Sequence, residues 1–97
     1  MLDKLTSADF SPHLNQTFRI RAGELTLEVE LISVEERGAA HSPNARKPFS
    51  IIFRGPLEPI LPQMIYKIKH GEIGALDLFI VPIGPDEHGM CYQAVFS

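Results

Sequence analysis

Apolar and polar residues alternate with a period of two along the second half of the chain, a pattern that predicts β-strands. Residues 66–69 alternate between apolar and charged side chains, a turn at 70–74 follows, and the apolar-rich run 76–81 returns. A second turn at 82–89, rich in Gly, Pro and Asp, precedes a last alternating segment. Three such segments joined by two turns predict an antiparallel meander.

The first half of the chain shows the same alternation, with one change of phase. Arg19 and Arg21 alternate with apolar residues, so both arginines are expected to face solvent. The run 24–34 has the clearest alternation, but Leu31 and Ile32 are consecutive apolar residues. This slip predicts a β-bulge or a sharp bend near 31–33, in a long bent strand that serves two sheets.

Taken together, the pattern predicts six strands, at about 18–21, 24–34, 48–54, 63–70, 74–82 and 90–96. In the third strand, Phe49, Ile51 and Phe53 should face inward. The expected fold is a single all-β domain over 1–97: a small six-stranded antiparallel barrel or two-sheet sandwich with one short N-terminal helical turn. Alternation does not distinguish the barrel from the sandwich, because both have one buried face.

Two segments outside the strands are expected to close the core. A helical turn near Thr6 should lay Leu5, Phe10 and Leu14 over one opening of the β structure. The segment 55–62 contains three prolines, which predicts a fixed extended crossover.

One acidic side chain lies within an apolar strand. Asp77 is surrounded along the chain by Leu76, Leu78 and Phe79. A carboxylate in this position either marks a solvent-facing edge or forms a cross-strand ion pair with Lys67 or Lys69 on the preceding strand, and the ion pair is the favoured explanation.

Composition restricts the possible partners and the compartment. The 97 residues include 12 acidic and 9 basic side chains, for a net charge of −3, without the basic surplus expected of a nucleic-acid-binding protein. A single cysteine permits no intrachain disulfide, which favours a reducing compartment. The start of the chain does not resemble a signal peptide, and the longest apolar run, 78–83, is too short to span a membrane. These features predict a cytoplasmic protein with no membrane partner.

Candidate metal and catalytic residues are few. His88 and Cys91 have a spacing that a zinc site can use, but a structural zinc ion needs four ligands and the sequence has no matching second pair. We therefore expect no metal and no cofactor. An enzyme is not favoured, and it stays open only because His70, His88 and Cys91 could meet in the fold.

The polar segment 35–47 and the strand after it carry a local group of basic residues. This group consists of Arg37, His41, Arg46, Lys47 and Arg54, and it is the candidate interaction site for a phosphate or carboxylate of a partner. The alternative is an ordinary solvated loop.

Three sequence segments, at 46–56, 66–85 and 92–96, resemble a family of short uncharacterised bacterial proteins, a domain of unknown function. With the start near Phe10, the resemblance spans nearly the whole chain. Some members of that family lie near phage-tail-collar-like genes. The resemblance implies no established activity and no catalytic residues.

The function expected from these observations is a non-enzymatic structural or protein-interaction module, phage-tail-like or assembly-related. The last predicted strand runs to Phe96, so its outer edge should be uncovered and available to a protein partner or to homodimerisation. The alternative is a small-ligand-binding β-barrel with residues 35–47 as a lid.

Overall fold

The computed structural model describes residues 5–38 and 47–96. It contains one short helix, one 3₁₀ turn and six strands. In chain order these are α1 (Ser7–Phe10), the 3₁₀ turn (Ser11–His13), β1 (Thr17–Ala22), β2 (Leu25–Glu36), β3 (Phe49–Gly55), β4 (Met64–His70), β5 (Gly74–Pro85) and β6 (Met90–Phe96). All six predicted strands are present.

The strands form a closed antiparallel barrel in the order β1-β2-β3-β6-β5-β4. Two meanders, β1–β2–β3 and β4–β5–β6, are joined along two seams, at which β1 pairs with β4 and β3 pairs with β6. The barrel alternative is therefore confirmed over the sandwich. The expectation of an uncovered edge on the last strand is wrong, because β6 pairs with β3 on one side and with β5 on the other.

Two long strands, β2 and β5, each pair with one neighbouring strand along their first part and with the other neighbour along their second part. Residues 25–30 of β2 pair with β1 and residues 30–36 pair with β3. Residues 74–80 of β5 pair with β4 and residues 81–85 pair with β6. The register shifts in β2 between Leu31 and Ser33, at the position predicted for a bulge or sharp bend, and in β5 between Pro82 and Gly84.

Side chains of all six strands fill the interior of the barrel. Phe49, Ile51 and Phe53 point inward as predicted, and each is fully buried. Tyr92 is also buried, and Phe18 meets Phe53 edge to face with ring centroids 5.2 Å apart. Each such apolar side chain contributes about 2 kcal/mol on leaving water, so the core is the main source of stability.

Two segments outside the strands, α1 and the crossover from β3 to β4, contribute one buried apolar side chain each. In α1, the backbone N–H of Thr6 donates to the Asp9 carboxylate at 2.7 Å, which caps the helix. Phe10 of α1 is fully buried, with its ring centroid 5.9 Å from Phe49. Leu5 packs against the core as expected, but Leu14 is 38% exposed and does not cover the opening.

The crossover from β3 to β4 contributes the second of these buried side chains. Its Leu61 is buried, and the Leu61 N–H donates to Tyr92 Oη at 3.0 Å. Within the described residues, no helix is long and apolar enough to cross a membrane.

Candidate functional site

The seam between β1 and β4 brings four basic side chains together on the outer surface of the barrel. Arg19 lies directly opposite Lys69, and Arg21 lies directly opposite Lys67. Their chain neighbours Ile20 and Ile68 point into the core, so alternation turns all four basic side chains outward, and all four residues are exposed. We call these four residues the cationic face.

Two carboxylates neutralise the cationic face only in part. Arg19 forms an ion pair with Glu28 across the β1–β2 ladder at 3.6 Å, and Lys67 forms one with Asp77 across the β4–β5 ladder at 3.5 Å. The pairing of Asp77 with Lys67 confirms one of the two predicted alternatives. Four cations against two carboxylates leave two positive charges on a chain whose net charge is −3.

The remaining two cations are Arg21 and Lys69. Arg21 donates through Nε to the carbonyl oxygen of Gly23 at 3.1 Å, a contact that leaves its charge unneutralised. Within the described residues, Lys69 forms no ion pair. Because like charges directly opposite each other destabilise a sheet, a bound anion would relieve an existing repulsion.

Two adjoining grooves lie over the cationic face. One has a volume of about 180 Å³ and is lined by Arg19, Arg21, Thr26 and Lys69. The other has a volume of about 440 Å³ and is lined by Thr17, Arg19, Lys69, His70 and Gly71. They share Arg19 and Lys69. Guanidinium, ammonium and hydroxyl donors around an open groove suit a carboxylate or phosphate group.

His70, at the end of the larger groove, is held by hydrogen bonds on both ring nitrogens. Its Nδ1 accepts from the backbone N–H of Glu72 at 3.0 Å and of Ile73 at 3.3 Å. Its Nε2–H donates to Gln16 Oε1 at 2.8 Å, and His13 Nδ1 donates to the same oxygen at 2.9 Å. The ring centroids of His13 and His70 are 4.4 Å apart. These hydrogen bonds hold the His70 ring in place at the end of the larger groove.

Arg54, one of the residues predicted for the interaction site, has a structural partner. Its Nε and one terminal nitrogen donate to Asp86 Oδ2, at 2.8 and 2.5 Å. Asp86 Oδ1 accepts from the backbone N–H of His88 and of Gly89, which closes the turn between β5 and β6. The hydrogen bonds from Arg54 and from the turn hold the pKa of Asp86 well below its usual range.

The other predicted interaction residues lie elsewhere or outside the described residues. Lys47 and Arg37 are both exposed, near the contact in which the Arg37 N–H donates to Pro48 O at 2.7 Å. Arg54 is six residues beyond Pro48 along an extended segment, about 20 Å away. The structure thus separates Arg54 from Lys47, while His41 and Arg46 lie outside the described residues.

The zinc candidates His88 and Cys91 lie in the turn between β5 and β6 and near the start of β6. Cys91 is buried, and burial is the main cause that raises the pKa of its thiol. Across residues 5–38 and 47–96, no group of three or more potential ligands of the His, Cys, Asp and Glu types is found. His70 contacts His13 and Gln16, and His88 belongs to the turn between β5 and β6.

The cationic face was missed by sequence reasoning because its two halves come from different meanders. The alternation predicted that Arg19 and Arg21 face solvent, and it identified Lys67 and Lys69 as the charged residues of an alternating segment. Their proximity depends on closure of the barrel, which joins Ile20 to Ile68. No local pattern near either strand carries that information.

Residues 5–96 match the model of a family described as a domain of unknown function (DUF6916). No curated protein matches the chain. No solved structure matches it either.

Proposed function

Since the chain belongs to the DUF6916 family, which has no described function, we propose from its geometry that it is a non-enzymatic binding module for an acidic segment of a partner protein. The cationic face is the proposed contact surface. The observation that carries this proposal is that two of its four cations, Arg21 and Lys69, have no acidic partner among the described residues.

The shape of the surface favours an extended peptide. The groove lined by Arg19 and Lys69 is open, and it continues into the smaller groove beside Arg21. A few consecutive carboxylates can reach several donors there without entering the barrel. A long nucleic acid is less favoured, because the net charge of −3 on the whole chain repels a polyanion beyond the immediate contact.

A ligand inside the barrel has less support. Phe18, Phe53 and Tyr92 fill the interior, and six-stranded barrels are generally packed by their own side chains. Of the proposed lid over 35–47, Glu35 and Glu36 belong to β2. An assembly-related role, a phage-tail connection, a bacterial origin and a cytoplasmic location stay predictions.

The proposal is tested by titrating a fluorescein-labelled oligoglutamate peptide with the 97-residue chain and following its anisotropy. At low ionic strength we expect saturable binding that weakens as salt is added. The double variant R21E/K69E should bind the peptide at least about tenfold more weakly, because two attractive contacts become repulsive.

The matched control is R37E/K47E, which makes the same change of net charge at two other exposed cations. We expect it to change the affinity by less than about twofold, since long-range effects are screened at moderate salt. Equal losses for the two variants would reduce the effect to net charge. A loss confined to R37E/K47E would place the contact at the predicted group of basic residues instead.

A further inference from the structure

Two large apolar side chains lie side by side on the outer surface of the barrel, next to the cationic face. Ile65 on β4 is paired directly with Phe79 on β5, and the two are 66% and 52% exposed. Val81 is half-buried two residues further along β5. We call these three residues the apolar face. A cluster of exposed large apolar side chains is unfavourable in water and is typical of contact surfaces.

The next pair along the same two strands is charged. Lys67 lies directly opposite Asp77, with Nζ 3.5 Å from Oδ1, and both side chains are more than half exposed. Next to the apolar pair there is therefore a positive charge on β4 and a negative charge on β5. The two lie on opposite sides of the line midway between the strands.

This pattern is complementary to a second copy of itself. A two-fold axis along that midline, in the plane of contact, places Ile65 of one copy over Phe79 of the other. The same rotation places Lys67 of each copy over Asp77 of the other. Ile65 and Phe79 of one copy thus meet Phe79 and Ile65 of the other, and Lys67 and Asp77 each meet the opposite charge, as an isologous interface requires.

We propose that two copies of this chain associate through the apolar face, with the Lys67 and Asp77 pairs exchanged across the interface. The contact is between sheet faces, because in the closed barrel β6 is paired on both sides. Lys67 belongs to both surfaces, but the dimer does not rest on the proposed binding of acidic segments, since that proposal rests on Arg21 and Lys69, which lie outside the apolar face.

The first test is sedimentation equilibrium of the 97-residue chain from about 1 µM to about 1 mM. We expect reversible dimerisation. Phe79→Thr should raise the dimer dissociation constant by at least about tenfold, because it removes an aromatic side chain from the centre of the contact. Leu57→Thr, at an apolar residue that is 57% exposed on the crossover, should change it by less than about twofold.

The second test separates contacts between copies from those within one copy. Lys67→Asp and Asp77→Lys each place like charges across the interface, so each variant alone should dimerise at least about tenfold more weakly. In an equimolar mixture, however, every acidic side chain of one variant faces a basic one of the other. Mixing should restore dimers, which an ion pair confined to one chain cannot do.

A wild-type chain that stays monomeric at about 1 mM would overturn the proposal, as would equal effects of Phe79→Thr and Leu57→Thr. Dimerisation without recovery on mixing would overturn the exchanged geometry. Lys69→Glu changes a cation that lies opposite Arg19 rather than Lys67, so it should weaken peptide binding and dimerise like the wild type. Failure of peptide binding and failure of dimerisation are therefore distinguishable.

Discussion

Arginine side chains lie on the outside of the barrel both at the β5–β6 turn, which Arg54 of β3 contacts, and on the cationic face. The two regions differ in how fully the positive charge is neutralised. At the turn, Arg54 donates twice to one oxygen of Asp86, whose other oxygen accepts from two backbone N–H groups. At the cationic face, four cations share two carboxylates.

Exposure follows the same division. The Arg54 side chain is 24% exposed and that of Arg19 is 66% exposed. A cation with matched partners and partial burial fixes the backbone around it, whereas an exposed cation with incomplete partners contributes little to folding and is available to a ligand. Changes at the turn should therefore alter stability, and changes at the cationic face should alter binding.

The largest expected effect is at Gly89 in the β5–β6 turn. A Cβ atom there would collide with the carbonyl oxygen of Gly55 at the end of β3. Because backbone rather than a flexible side chain blocks the space, Gly89→Ala should lower the free energy of unfolding by about 3 kcal/mol, measured by urea denaturation.

Gly71, in the turn between β4 and β5, provides the matched control. A Cβ atom there meets nothing within 4 Å. Gly71→Ala should change the free energy of unfolding by less than about 1 kcal/mol, and towards greater stability, because alanine restricts the unfolded chain. Similar losses for both variants would mean that the close approach of Gly89 to Gly55 is not what holds the turn.

The next effect is at Asp86. Asp86→Asn removes the ion pair with Arg54, so at neutral pH it should lower the melting temperature more than Asp77→Asn does. The pair of Asp77 is more exposed, and its loss should cost less than about 1 kcal/mol.

The pH dependence follows from the low pKa of Asp86 in the folded state. The stability that its carboxylate contributes is fully present above the pKa of the unfolded chain and is lost as pH falls through the folded-state pKa. Thermal melts should therefore show the wild type losing its advantage over Asp86→Asn below about pH 4. A difference between the two proteins that stays constant down to strongly acidic pH would contradict this role of the carboxylate.

The features that the sequence predicts well in this protein are those that depend on neighbouring residues along the chain. The strand predicted at 90–96 coincides with β6, and the bulge near Leu31 follows from two consecutive apolar residues. Alternation is a local signal, because each side chain's face depends on that of the residue before it.

The contacts that define the sites join distant parts of the chain. Arg54 and Asp86 are 32 residues apart, and the cationic face depends on the pairing of β1 with β4. The expected free edge on β6 was wrong for the same reason, since a meander has edges until distant strands close it. Closure is a property of the whole barrel, and the alternation in each strand is the same with or without it.

The smallest effect, and the most direct test of the repulsion in the cationic face, is at Lys69. Lys69→Gln removes one of two cations that face each other across the β1–β4 seam, so it should raise the free energy of unfolding by about 0.3 kcal/mol at low salt. The gain should vanish at about 1 M NaCl, where charges are screened within about 3 Å. Lys67→Gln is the control, because it removes a repulsion with Arg21 but also the attraction to Asp77, and so should give no gain. A loss of stability in Lys69→Gln would show that Lys69 supports the fold, and it would then belong with Arg54 rather than with the surface available to a ligand.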